Sequence, residues 1–351
     1  MRLLFVTHRY WPFPGGTEVF VTSMAEEASR RGHLVAVYTG AGRAKNVNDV
    51  TVTTDPEIMV KERWDLIIVH AADDRPQCLA LANVKNIPSP ILYMLVYPQV
   101  VQGLSHAAVQ EVAYIGVSTR ADAAFLSQFP ESVQRKARLV RHSVTATVGE
   151  TIGQRGRFKT KFGINTKFMF LSCGGFWRHK GVAELADAFR ESTESTKCLS
   201  DVTLVLTGYR DDAANRPQPM SLPNNSFIKV FVIDDKSDVA DAMADADLYI
   251  MNSVYEGFGL VLIEAMLNRT PWISRAIAGA IEMRDFGGLY EGRATLIDAM
   301  KRFHEEQKIQ DMQNIQDIQE RTERAYAYAS ANRLTANTVD DIEKILTNPA
   351  T

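Results

Sequence analysis

Short apolar runs alternate with amphipathic stretches along nearly the whole chain. LLFVT (3–7) reads as a buried strand, and a helix follows from about Glu18 to Arg31, with Phe20, Met24 and Ala28 four apart on one face. Gly32 then stands where a helix-terminating glycine belongs. LVAVYT (34–39), DLIIVH (65–70), ILYMLVY (91–97), YIGVS (114–118) and ARLVRHSV (137–144) continue the strand series, with helical stretches between most of them. Residues 145–157 (TATVGETIGQRGR) break the periodicity and carry three glycines, which marks a linker. The rhythm restarts with FMFLSCG (168–174), a helix near 181–190, VTLVLTG (202–208), FIKVFVI (227–233), a helix at 237–245, DLYIMNS (247–253), a helix from about Leu260, and PWIS (271–274). This βαβα order predicts two doubly wound α/β halves. Asp211–Pro223 is polar and proline-rich and reads as a loop. After residue 294 the pattern is helical, and its Gln-, Glu- and Asp-rich stretch from Glu305 to Arg324 reads as a solvated face.

Composition fits this picture. At 351 residues the chain is too long for one ordinary core. Hydrophobic residues make up 46%, charged residues 23%, and the net charge is −3, so nothing global points to nucleic acid. Cys78, Cys173 and Cys198 are widely spaced without a CxxC, which argues against a zinc site and suits a reducing compartment. No apolar run has the length of a membrane span, and the N-terminus reads as a first strand rather than a signal peptide. The expectation is a soluble cytoplasmic protein. The basic cluster Arg135, Lys136, Arg138 and Arg141 reads either as a solvated rim or as a peripheral contact with anionic lipid headgroups.

Three segments carry chemistry. PFPGGTE (12–18) joins the first strand to the first helix, and Gly15 and Gly16 allow close backbone approach to a ligand. It is not a GxGxxG dinucleotide fingerprint. GGFWRHKG (174–181) sets Arg178 and Lys180 before a helix, a layout that suits phosphate but is not a Walker A. His179 reads as a spectator. In YEGFGLVLIEAM (255–266), Glu256 stands on a loop and Glu264 on the helix that begins near Leu260. Gly257 and Gly259 leave the backbone bare on both sides of Phe258, so that N–H groups at the helix start can meet a diphosphate. A buried carboxylate needs a hydroxyl or cationic partner, and sugar hydroxyls serve well.

Together these motifs resemble family 4 glycosyltransferases of the GT-B architecture. PGGTE, YIGVSTRADAAFL, GGFWRHKGVAELADAF, LVLTG and ADLYIMNSVYEGFGLVLIEAM follow the family's segments in order. The last of these carries the specific signature, two acids with seven residues between them around Gly-Phe-Gly. The resemblance implies two Rossmann-like domains facing a central cleft. The first, residues 1–150, would lie on the acceptor side, with a helix near 330–351 packing back on it. The second, residues 158–329, would bind the nucleotide-sugar donor. It further implies a retaining hexosyltransferase-type enzyme that uses a UDP- or GDP-sugar and a glycan, lipid-linked or small-molecule acceptor in polysaccharide biosynthesis, with no metal and no cofactor. Lys180 would charge-stabilise the leaving diphosphate, and the backbone at Gly259–Leu260 would supply N–H donors. Glu264 would accept from the ribose, Glu256 would contact the sugar, Val232 and Ile233 would hold the base, and Gly15 and Gly16 would line the opposite side.

Four positions depart from the family pattern. Gly175 stands where an arginine is usual, and Arg178 is the nearest substitute. The family's histidine before the "v-S" strand has no counterpart, Tyr97 being nearest and His106 a weaker candidate. His142-Ser143 replaces Asn-Gly, and Arg269 replaces a glycine. These departures keep two alternatives in view: a non-catalytic binding or scaffold protein of polysaccharide assembly, and a nucleotide-sugar epimerase of the same architecture.

Overall fold

The computed structural model describes residues 1–10, 15–41, 45–71, 75–96, 102–194, 199–208, 226–233, 235–308 and 312–347. It divides into two compact units, one formed by Met1–Val144 with Arg333–Thr351, the other by Thr145–Asn332. Tyr97, Cys198 and the loop Asp211–Pro223 lie outside the described residues.

The first unit runs β1 (Arg2–Arg9), α1 (Gly16–Arg30), β2 (Leu34–Ala41), β3 (Lys45–Val47), β4 (Val50–Thr53), α2 (Ile58–Lys61), β5 (Leu66–His70), α3 (Arg75–Ala82), β6 (Ile91–Met94), α4 (Gln102–Glu111), β7 (Tyr114–Val117), α5 (Arg120–Leu126), α6 (Glu131–Gln134) and β8 (Ala137–Leu139). The sheet order is β3-β4-β2-β1-β5-β6-β7-β8. All its pairings are parallel except that of β3 with β4. Central strands are buried on both faces, as parallel sheets require: Leu3, Leu4, Val6 and Leu66 through Val69 have no exposure. Helix α1 buries Phe20, Val21, Met24, Ala25 and Ala28. It ends as expected: Gly32 has φ 86°, its N–H donates to Ser29 O (2.8 Å), and the His33 N–H donates to Ala28 O (3.1 Å).

The second unit runs α7 (Arg157–Phe162), β9 (Phe168–Cys173), α8 (Val182–Glu194), β10 (Val202–Gly208), β11 (Ile228–Val232), α9 (Lys236–Asp245), β12 (Leu248–Met251), α10 (Leu260–Leu267), β13 (Trp272–Arg275), α11 (Ala278–Glu282), β14 (Gly288–Tyr290), α12 (Arg293–Lys308) and α13 (Met312–Asn332). Its sheet order, β11-β10-β9-β12-β13-β14, is the all-parallel doubly wound order whose direction reverses between β9 and β12. The last helix, α14 (Thr335–Thr347), belongs to the first unit and packs on α1. No helix among the described residues is long and apolar enough to cross a membrane.

The segment read as a linker, residues 145–157, begins at the boundary between the two units and is strapped to the second. Gly153 N–H donates to Asn268 Oδ1 (2.9 Å), Gln154 N–H to Asp241 Oδ1 (2.7 Å) and Gly156 N–H to Asp245 Oδ1. A side chain at Gly153 would collide with the Ala240 carbonyl, so this glycine serves close approach rather than flexibility. The β3–β4 hairpin, α11 and β14 are additions to the expected series. Each is five residues or shorter, below the length at which periodicity can be read.

Candidate active site

In the second unit the site is built where the sheet reverses direction. The loops leaving β9 and β12 emerge side by side there, the place where open α/β sheets bind ligands. The β9 loop carries Gly174, Gly175 and a short 3₁₀ turn, Arg178–Lys180, that ends on Gly181 at φ 63°. A side chain at Gly181 would strike the Asn252 carbonyl, so the turn is pressed onto the end of β12. Three further contacts close this clasp. Val254 N–H donates to His179 O (2.7 Å), Asn252 Nδ2 donates to Gly181 O (2.7 Å), and the His179 and Tyr255 rings stack at 4.8 Å with 19° between planes. His179, expected to be a spectator, is therefore part of the clasp.

Lys180 and Glu256 meet across it. Lys180 Nζ donates to Glu256 Oε1 at 2.5 Å, and Ser253 Oγ donates to the same oxygen at 2.7 Å. The Glu256 side chain is 10% exposed and that of Lys180 27%. Arg178 is exposed on the same turn. Gly175 is covered by the Trp177 indole, whose Nε1 edge occupies the space a side chain at 175 would need.

Beyond Glu256 the chain enters α10 through Gly259 at φ 89°, with no side-chain cap; the Leu262 N–H donates to Gly259 O (2.9 Å), and the N–H groups of Leu260 and Val261 before it are left for a ligand or water. Phe258 is buried, and its carbonyl lies so close to Gly279 of α11 that no side chain fits there. Glu264, on α10, is half-buried and makes no side-chain hydrogen bond or ion pair among the described residues. Desolvation pushes its pKa up to about 7, against a smaller opposing effect of Lys236. Val232 is 40% exposed at the end of β11, whereas Ile233 is buried with its N–H committed to Gly208 O at 2.8 Å.

Sequence reasoning missed the polar layer behind this site. Asn252 Oδ1 accepts from Tyr290 Oη (2.9 Å) and Arg275 Nη2 (3.1 Å), and Arg275 Nη2 also donates to Glu184 Oε2 (2.6 Å). The available signal was the polar pair Asn252-Ser253 directly after a fully buried strand.

Gly15 and Gly16 lie in the first unit. Gly16 begins α1 with open space around it. Gly15 is overlaid by the carboxylate of Glu18, which is buried and holds Arg9 (Nη2, 2.7 Å) and His8 (Nε2, 3.1 Å). Burial would raise the Glu18 pKa, but the hydrogen bond and charge of His8 and the charge of Arg9 outweigh it and hold it low. Nearby, Phe20 stacks on His142 (5.0 Å) and tilts against His70 (5.2 Å). Burial pushes His70 down to about 4 and His142 well below its ordinary value, so both are neutral at physiological pH. An internal carboxylate thus already occupies the start of α1, whereas the start of α10 is bare. The basic cluster near 135–141 is likewise engaged within its own unit. Arg135 pairs with Glu131, Lys136 with the Gln110 carbonyl, Arg141 with Asp341, and Arg138 lies over the Tyr114 ring.

Two doubly wound units, the second with cations and carboxylates gathered beside a bare helix start at its switch point, give the GT-B fold. Residues 154–315 match the family described as Glycosyl transferases group 1. No curated protein sequence matches it. Among solved structures it is similar to sucrose-phosphate synthase from Thermosynechococcus elongatus, with TM-score 0.77 and 13% identity over 99% of this chain and 98% of that one. It is also similar to Anabaena Alr3699/HepE in complex with UDP-glucose, with TM-score 0.77 and 17% identity over 99% of each chain. A third is α,α-trehalose 6-phosphate synthase from Burkholderia multivorans, with TM-score 0.70 and 14% identity over 99% of this chain and 96% of that one.

Proposed function

We propose that the protein transfers a sugar from a nucleoside-diphosphate sugar, with UDP or GDP as carrier, to a glycan, lipid-linked or small-molecule acceptor. Transfer proceeds with retention of configuration and without a metal. The observation that carries this reading is the convergence of Lys180, Glu256 and the uncapped start of α10 on the β9/β12 switch point. As the bond from the sugar to the diphosphate breaks, negative charge builds on the leaving oxygen. Lys180, with Arg178 beside it, supplies positive charge and the N–H groups at Leu260 supply dipoles that meet this charge. Glu264 accepts from the ribose hydroxyls, Glu256 from the sugar hydroxyls, and the base lies against Val232 and Ile233. The Anabaena protein of the same fold, held with UDP-glucose, supports this choice of ligand.

Calorimetry with UDP, GDP and ADP and their sugar conjugates tests the donor site, and at least one of the six should bind below millimolar; failure of all six overturns the reading. Hydrolysis of the matching sugar nucleotide without acceptor should slow by ~2–4 kcal/mol of activation free energy in Lys180→Ala. Unchanged turnover would remove Lys180 from the reaction.

A further inference from the structure

In the ligand-free protein, the cation assigned to the diphosphate and the carboxylate assigned to the sugar are bonded to each other. Lys180 Nζ sits 2.5 Å from Glu256 Oε1, with Oγ of the buried Ser253 as the second donor to that oxygen. The pair does not stand on two mobile loops. Its flanks are fixed by the Val254–His179 backbone bond, the Asn252–Gly181 bond, the close contact at Gly181 and the His179–Tyr255 stack. Among the described residues no second cation pairs with Glu256; Arg178 is exposed on the turn, and His179 has its pKa lowered by burial and by Lys180.

We propose that this ion pair makes the site select a nucleoside diphosphate that carries a sugar over the bare nucleoside diphosphate. The inference rests on the donor reading above. A bare diphosphate draws Lys180 away and leaves Glu256 largely buried beside an added anion, with only the Ser253 hydroxyl as partner. Removing one member of such a pair is costly because the other charge stays desolvated. A sugar-bearing ligand supplies phosphate to Lys180 and hydroxyls to Glu256, so both are satisfied. After transfer the sugar has gone, the pair re-forms, and the diphosphate is expelled.

The test is calorimetry on the full chain with UDP, GDP and ADP and their glucose or mannose conjugates. The wild type should prefer the conjugate. Glu256→Gln, which keeps the shape but not the charge, should bind the bare diphosphate about fivefold tighter and the conjugate more weakly, so the preference collapses. Ser253→Ala should act in the opposite sense. Without the hydroxyl, Glu256 has no partner in the bare complex, so affinity for the diphosphate falls more than affinity for the conjugate. A purely structural role would move both affinities by one factor in each variant, and that result overturns the inference. So does a wild type that binds both forms equally, or a Glu256→Gln variant whose diphosphate affinity is unchanged or weaker. A wild type that binds none of the six ligands overturns the donor reading itself, and this inference with it.

Discussion

Glu264 is the residue whose chemistry is most exposed to test. Its pKa of about 7 lies above the ordinary 4.5, so between these values the folded chain holds a proton that the unfolded chain has lost. Stability therefore falls as pH rises through that window, and the cost is complete above the folded pKa. Glu264→Gln removes the titration. The variant should match the parent near pH 4 and exceed it by ~3 kcal/mol at pH 8, a pKa unit being worth about 1.4 kcal/mol. Denaturant titrations at the two pH values check this, and a constant offset would mean that the carboxylate is not desolvated. In binding assays the same variant should weaken the nucleotide more than it slows chemistry; the reverse would exchange the roles of Glu256 and Glu264. The sequence made both acids legible, because an acid at each end of an apolar run needs a reason. It did not show that Glu256 bonds to Lys180, since the partners are 76 positions apart and only the sheet order brings them together.

Elements were read in proportion to their length. The strands of the central sheets have four or more consecutive buried residues, and their apolar runs stand out in the sequence. The β3–β4 hairpin escaped notice, although Asn48 and Asp49 at φ 47° and 62° form the two-residue turn that such a hairpin favours. Strand β14 escaped for a different reason. It has three residues, and Gly287 before it is fixed by the Trp272 indole pressed against it, a contact no local pattern encodes. Helix α11 matters more for the site than its five residues suggest, because Gly279 packs on the Phe258 carbonyl and so holds the loop between Glu256 and α10. Gly279→Ala must separate the two backbones. The expected cost is ~2–3 kcal/mol, in the range of core overpacking, with loss of nucleotide affinity beyond that of a comparably destabilised variant elsewhere in the unit. Calorimetry beside a thermal melt separates the two effects. An alanine variant with normal affinity would show that α11 does not support the loop.

At the scale of the whole molecule, the end of the chain completes the first unit rather than the second. Helix α14 reaches back across 200 positions, where Asp341, 4% exposed on its side chain, takes Arg141 Nη2 at 2.5 Å, Nε at 2.8 Å and the Arg141 N–H at 3.1 Å. On the other flank Arg31 donates to Asp340 (2.7 Å) and Glu343 (3.0 Å), and Thr338 accepts or donates to Ser143. These are mostly charges on one partner meeting charges on the other, so removing one side leaves the opposite charge partly desolvated. Asp341→Ala should then destabilise the first unit by about 3 kcal/mol, the range for breaking a buried pair. Because two units need not unfold together, one melting temperature does not describe the effect. Hydrogen exchange does: protection should drop within residues 1–144, beginning with α1 and β8, while 145–332 keep theirs. Equal loss in both would mean that the chain folds as one cooperative body and that α14 holds the whole of it. Loss confined to the first unit would make the last helix a local clamp, one that leaves the Lys180–Glu256 site intact even when the first unit has opened.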